Sequence, residues 1–352
     1  MRIINVDSLE GNEIVASPIL TKDLKVLIGK GTKLKKEYIK KLIDHDISEI
    51  YIEEDSNALF SLGGIISKQE VQETCLLKVQ NILEKHTFHN SKNLEELVGV
   101  AEDIINNILN NEKVLEKVYE FRERDANLYE HSLSVCALAV LTGVKMKIPK
   151  NTINDIGIAA ILHDLGLRYT TIPFTNVDIN ELSQKDQEEY RKHTVFGYTA
   201  IIHEDWLSDQ AKQMILFHHE KLGGKGYPLK SNELTTECQI VSVCELFDES
   251  ICGVGCKRMR VYEAIELLKS TKGSEYDAEI VDTLLQFTAI YPTGTKVRLS
   301  DGSIGIVARQ NEHFPERPVV TIIIDKNGAK VMDQIQCDMV LVHNIVITEM
   351  VE

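Results

Sequence analysis

The sequence predicts a mainly α-helical protein: a helical bundle with a small α+β module before it and a small antiparallel β module after it. Three observations predict this. Apolar residues recur at helical spacing from about residue 67 to Tyr291, with few Gly or Pro to interrupt them. Before residue 60 the apolar runs are short and parted by turn residues. After Pro292 the texture changes to short β-branched runs.

Taken in order, residues 1–60 read as the α+β module. The runs at 13–19 and 24–28, divided by Lys22-Asp23, read as a hairpin; Gly29-Lys30-Gly31-Thr32 reads as a turn, 36–43 as a helix and 47–52 as a closing strand. Residues 67–120 read as connecting helices and a candidate homodimer surface. Val71, Leu76, Val79, Ile82 and Leu83 form one stripe; a second follows the polar break His89-Asn90-Ser91, and Val114, Val118 and Phe121 continue a third. Residues 125–290 form the bundle proper. In residues 293–352, runs at 296–299, 304–308, 319–324 and 340–347 are separated by Asp301-Gly302, a proline-containing loop and Asn327-Gly328, which predicts four antiparallel strands.

The composition excludes several classes. Hydrophobic residues at 43% and charged residues at 26% are enough for a packed core. A formal net charge of −15 excludes non-specific binding of long nucleic acid, which depends on Lys and Arg releasing counterions. Seven cysteines with no CxxC pair argue against a disulfide framework and fit a reducing compartment; Cys252 and Cys256, four apart, lack zinc-site partners. No signal peptide and no run of 18 apolar residues is present, so a cytoplasmic protein without a membrane span is expected.

Six of the eleven histidines fall between residues 131 and 219. His163-Asp164 ends the apolar run 156–162, where a buried carboxylate without a partner would be costly and a cation would remove the cost. His218 and His219 follow another apolar run; on a helix they point roughly 100° apart, so each suits one ion of a pair. His131 heads an apolar helix, His193 lies in an amphipathic stretch, and Glu245 sits in a nearly all-apolar one. Imidazole with carboxylate suits iron, manganese or zinc better than calcium or magnesium. Two ions sharing Asp164 could lower the pKa of a bridging water and clamp both oxygens of an in-line phosphoryl displacement.

The order His131, His163-Asp164, His193, His218-His219-Glu220, then a carboxylate at 245, resembles the HD superfamily of metal phosphohydrolases. The stretch HHEKLGGKGYP at 218–228, with Gly226-Tyr227-Pro228, is similar to the hallmark of its HD-GYP branch. Ile172-Pro173, Phe247-Asp248 and Tyr276-Asp277 add to the likeness, which covers about residues 125–290, and the first 60 residues resemble a module often found before this domain. The resemblance implies an HD-type helical bundle and hydrolysis of cyclic di-GMP to linear pGpG or GMP in bacterial second-messenger signalling. It implies two divalent ions, iron first with manganese or zinc as alternatives, held by His131, His163, Asp164, His193, His218, His219 and Glu245. It also implies a catalytic role for Asp164 and Arg258, phosphate contact by Arg258, substrate contact by Tyr227 and Lys225, and a triplet loop open to protein partners.

The chain departs from the family pattern at several places. Glu245 replaces the usual Asp. The family's lysine after the HD motif is Leu167 here, with Arg168 the nearest basic residue. Asn127 stands where three-metal members carry a Glu, which is why two ions are expected. These departures leave open a slow enzyme, a module that binds cyclic di-GMP or a partner without turning it over, or a phosphohydrolase for another nucleotide.

Overall fold

The computed structural model describes residues 32–44, 69–89, 93–110, 112–331 and 335–351, together with 2–6, 9, 11, 14–15, 19–20, 26–28, 47, 49–53 and 65. It divides into two compact units, Met1–Ser61 and Leu62–Glu352. In the first, strands β1 (Arg2–Asn5) and β2 (Ile14–Val15) both pair antiparallel with β5 (Glu49–Glu53), and β3 (Ile19–Leu20) pairs with β4 (Val26–Ile28). Helix α1 (Lys36–Asp44) contributes Leu42 to a core with Val6, Val15, Ile19, Ile28, Leu34 and Ile50. The hairpin is therefore β3–β4, and the run at 13–19 is split between two sheets. The sequence carries Pro18 inside that run, and proline has no N–H for a ladder. The turns expected at Lys22-Asp23 and at Gly29-Lys30-Gly31 lie outside the described residues, as do Asn90 and Ser91.

The second unit begins with α2 (Gln69–His89), α3 (Leu97–Leu109) and the short α4 (Glu112–Glu116). The third expected helical stripe stops there. Val118, Tyr119 and Phe121 are buried in an extended segment: Tyr119 N–H donates to the Phe287 carbonyl at 2.7 Å, and Ala289 N–H donates back to Tyr119 at 2.8 Å. Tyr119 meets Phe287 edge-on and Phe121 meets Phe247 likewise. A three-position stripe cannot hold a helix against that pairing, because most helix stability comes from packing.

The bundle is built on α5 (Leu128–Lys145), buried on every side from His131 to Gly143, and on α6 (Lys150–Leu162), packed against it. Such all-round apolarity marks a central helix. Around them stand α7 (Gln184–Arg191), α8 (His193–Ile201), α9 (Asp209–Phe217), α10 (Thr236–Cys252), α11 (Val261–Thr271) and α12 (Ala278–Gln286). Side chains cap several of them. Asn127 accepts from Tyr129 and Glu130 at the start of α5, Ser208 from Ala211 at α9, and Asp277 from Glu279 and Ile280 at α12. All seven cysteines are free. Among the described residues no helix is long and apolar enough to cross a membrane.

The chain ends in a five-stranded antiparallel sheet of order β10-β6-β7-β8-β9, from β6 (Lys296–Leu299), β7 (Ile304–Arg309), β8 (Val319–Ile324), β9 (Gln336–Asp338) and β10 (Ile347–Met350). Val297, Leu299, Val307, Val320 and Met339 form its core. The run at 340–347, expected as one strand, is mostly turn. Asp338 breaks it by accepting Val340 N–H on its side chain and the Leu341 and Val342 N–H groups on its carbonyl, all near 3.0 Å.

Candidate metal centre

Two groups of side chains meet at Asp164. His131, His163, Asp164 and Glu245 place one ligand atom each within 4.8 Å of one another, and so do Asp164, His193, His218 and His219. The seven residues expected to gather are thus all brought together, but His218 and His219, expected to serve one ion each, fall in the same group, because they lie in the turn after α9 and not within a helix. The fold delivers five of the seven from helix ends and two from within helices. His163-Asp164 opens a 3-10 turn directly after α6, His193 opens α8, and His218-His219 follow α9. His131 and Glu245 lie within α5 and α10. Gly166 permits the closest approach: a Cβ there would strike the His193 carbonyl, so only glycine lets the 3-10 turn lie on α8.

Asp164 divides its two oxygens between the groups. One lies 3.6 Å from His131 Nε2 and 3.4 Å from His163 Nε2; the other lies 3.5 Å from His193 Nε2 and 3.7 Å from His218 Nε2. Glu245 approaches His163 Nε2 at 2.7 Å and His131 Nε2 at 3.1 Å. The ring orientations are fixed from behind. His163, His193 and His218 donate Nδ1–H to the carbonyls of Ala160, Tyr190 and Ile215 at 2.7–2.8 Å. A carbonyl only accepts, so in the neutral rings each Nε2 presents a lone pair. Yet Nε2 of His163 lies 3.2 Å from that of His131, and Nε2 of His193 lies 3.1 Å from that of His218. In the neutral rings, lone pairs and carboxylate oxygens would therefore converge on one another, an arrangement a cation or a proton must relieve. Both Asp164 oxygens and His219 Nε2 are buried without a hydrogen-bond partner. This donor set fits a divalent cation on each side of Asp164.

Electrostatics divide the cluster. Burial opposes charge on His131 and His163, but Glu245 outweighs it: the His131 pKa is held well above its ordinary value, and Glu245 with Asp164 raises His163 to about 10. Burial lowers His193 to about 4 against the pull of Asp164, and burial with His218 holds His219 well below its ordinary value. Asp164 and Glu245 stay far below the usual carboxylate range despite burial, through His163 and His131 respectively.

The remaining expected residues sit further out. Tyr227 stacks on His219 with ring centroids 4.8 Å apart. Gly226 seats it, because a Cβ there would strike the His219–Glu220 backbone. Lys225 is exposed and donates to the Ser274 carbonyl at 3.3 Å. Arg258 is 42% exposed and its guanidinium donates to Asp125 at 2.6 Å. Leu167, at the lysine position, is buried with Ile179, Tyr190, Cys252 and Val254. Arg168 does not stand in for a lysine: it donates to Thr87 on α2 and to the Tyr129 hydroxyl at 2.6 and 2.8 Å. Asn127 spends its side-chain oxygen capping α5.

Sequence reasoning assigned no role to three residues near the cluster. Glu220 is buried and accepts Leu229 and Ser231 N–H at 2.6 and 3.2 Å, pinning the glycine-tyrosine-proline loop. Glu249, one helical turn beyond Glu245, stands within 4.8 Å of His219 and Glu245, and burial with Glu245 raises its pKa well above the usual range. Asp248 lies behind His131 Nδ1 at 2.7 Å. The signal that could have found Glu249 and Asp248 was their charge on an otherwise apolar helix.

Comparison with known proteins agrees with this geometry. The HD domain family matches residues 79–280, and a KOW domain associated with HD domains matches residues 296–352. The chain is 25% identical to a cyclic di-GMP phosphodiesterase of Pseudomonas aeruginosa over 60% of this chain and 51% of that protein. It is 24% identical to a 3'3'-cGAMP-specific phosphodiesterase of Vibrio cholerae over 69% of this chain and 46% of that protein. The chain thus spans about half the length of these curated relatives. An HDG"Y"P protein from Bdellovibrio bacteriovorus shares the fold, with TM-score 0.51 and 18% identity over 80% of this chain and 97% of that one. The chain belongs to the HD domain family, and its Gly226-Tyr227-Pro228 loop resembles the hallmark of the HD-GYP branch.

Proposed function

We propose that the chain is a metal-dependent phosphodiesterase of cyclic dinucleotides, with cyclic di-GMP as substrate and linear pGpG or GMP as product. The observation that carries this reading is the convergence of two four-residue ligand groups on the two oxygens of Asp164. The choice of a cyclic dinucleotide draws on the activities for which its relatives are named. In this reading His131, His163, Asp164 and Glu245 hold one divalent ion, and Asp164, His193, His218 and His219 hold the other. When bound, such a pair supplies Lewis acidity to phosphate oxygens and a nucleophile from water near neutral pH. Asp164 sets the spacing of the two positions and orients the attacking water. Tyr227 walls the His219 side, Lys225 stands on the adjoining loop, and Arg258 takes a phosphate by exchanging its pairing with Asp125. The test is turnover: anaerobically purified, iron- or manganese-loaded protein is incubated with cyclic di-GMP and the products are resolved by chromatography. No product from protein whose metal positions are filled sinks the reading.

One observation favours a second reading, a module that binds cyclic di-GMP or a protein partner without hydrolysis. The lysine position is a buried leucine, and Arg168 is engaged with α2 and Tyr129. Losing one transition-state charge contact costs about 3–4 kcal/mol. This reading expects saturable calorimetric binding of cyclic di-GMP with the ligand recovered intact.

A further inference from the structure

His131 differs from the other imidazoles in what stands behind it. His163, His193 and His218 each lean on a neutral backbone carbonyl. His131 Nδ1 instead meets the carboxylate of Asp248 at 2.7 Å, with Cys252 Sγ at 3.8 Å as a weaker neighbour. Asp248 is fully buried and is itself fixed: Arg124 donates to the same oxygen at 2.5 Å, and Ser134 Oγ donates to the other. An outer carboxylate of this kind locks the ring tautomer and raises the basicity of the nitrogen on the far side. The His131 group also holds two carboxylates, Asp164 and Glu245, whereas the group on the other side holds Asp164 and three imidazoles. His219 on that side has a buried Nε2 with no hydrogen-bond partner.

We propose that Asp248 is a positioning residue that makes the two cation positions unequal, aiming the Nε2 lone pair of His131 so that the position shared with His163, Asp164 and Glu245 fills first and more tightly. The inference rests on the reading of the cluster as a metal centre, and it adds an order of filling and a residue that sets it. Glu245 and Asp164 supply the charge on this side; Asp248 supplies the donor orientation and the electron density. Arg124 and Ser134 keep Asp248 from turning away, so its oxygen stays on Nδ1.

The test is a calorimetric titration of the metal-free 352-residue chain with Co²⁺, with the cobalt absorption band followed in parallel. The wild-type chain is expected to bind in two steps of different affinity. Asp248→Asn keeps an acceptor but removes the charge, and should weaken the tighter step by about 10–100-fold while leaving the weaker step in place. Asp248→Ala removes both and should weaken it further, with a shifted cobalt band. His219→Ala should remove the weaker step alone, which identifies the sides. Because Asp248→Ala leaves Arg124 without its buried partner, Ser134→Ala is a milder companion that should weaken the tighter step without loss of fold. Folded Asp248→Asn protein that binds both ions as the wild type does, or that loses both steps equally, overturns the inference but leaves the metal centre standing. Wild-type protein that binds no Co²⁺ at all overturns both.

Discussion

On one side of Asp164, two imidazoles face Glu245, and one of them is braced by a buried carboxylate; on the other, three imidazoles face Asp164, and Tyr227 covers one of them. Both sides come from helices packed into the same bundle, so packing alone does not distinguish them. The difference lies in charge. Negative charge near His131 and His163 holds their protons, while burial strips His193 and His219 of theirs. The His131 side therefore offers a cation strong electrostatic attraction but must give up protons to take it. The His219 side offers ready lone pairs and less charge. The comparison teaches that two groups of ligand atoms joined through one carboxylate can still be made chemically distinct.

The largest effect that could break this comparison is at the residue the sides share. Asp164→Asn should empty both positions and lower turnover by about 10³-fold or more, given that one lost charge contact costs 10²–10³-fold. Metal analysis beside product analysis checks this, and a variant that keeps two ions refutes the bridging role. Next come variants that separate the sides. Glu245→Gln should weaken the tighter cation step by at least about 100-fold, beyond what outer-shell changes do, while His193→Ala should abolish only the weaker step; calorimetry reads both.

A third prediction concerns pH in chelated, metal-free protein. His193 is lowered to about 4, so as the pH falls from about 6.5 the unfolded chain takes that proton first and folding stability declines toward pH 4. His163 is raised to about 10, so its stabilisation is whole below about 6.5 and is lost as the pH rises through 10. Scanning calorimetry across pH 4–10 should show stability falling at both ends, and a flat profile would contradict the division of charge. The smallest effect is expected at Glu220→Ala. It frees two backbone N–H groups, at about 1–3 kcal/mol each if left unpaired, and loosens the loop that seats Tyr227 on His219. The weaker cation step should soften several-fold, and the tighter one should not move.

Much of the site could be read from residues alone. His163-Asp164 at the end of an apolar run, and Glu245 inside one, announce buried charge that wants a partner, and the order of motifs ties them to distant histidines. Asp248 was legible as a motif match but not as a brace, because no spacing rule says which ring nitrogen a carboxylate three residues past Glu245 will meet. Glu220 reads as one more letter of a histidine motif, and only the fold turns it toward Leu229 and Ser231. Arg168 is the basic residue nearest the lysine position in the sequence, and only the fold shows that Thr87 and Tyr129 hold it. In the fold, the errors came where tertiary pairing overrode local pattern. Val118–Phe121 became extended against Phe287, and the β-branched run at 340–347 gave way to the Asp338 turn. Helices long enough to carry several stripes were read correctly, because a 3.6-residue period repeated over four turns leaves few alternatives.

The most direct measurement is the metal content of the 352-residue chain purified anaerobically and supplied with iron or manganese, determined by elemental analysis beside His218→Ala. The account predicts about two divalent ions per chain in the wild type and about one in the variant, with the His131 position still filled. Wild-type protein that folds but carries no divalent ion after loading would contradict it.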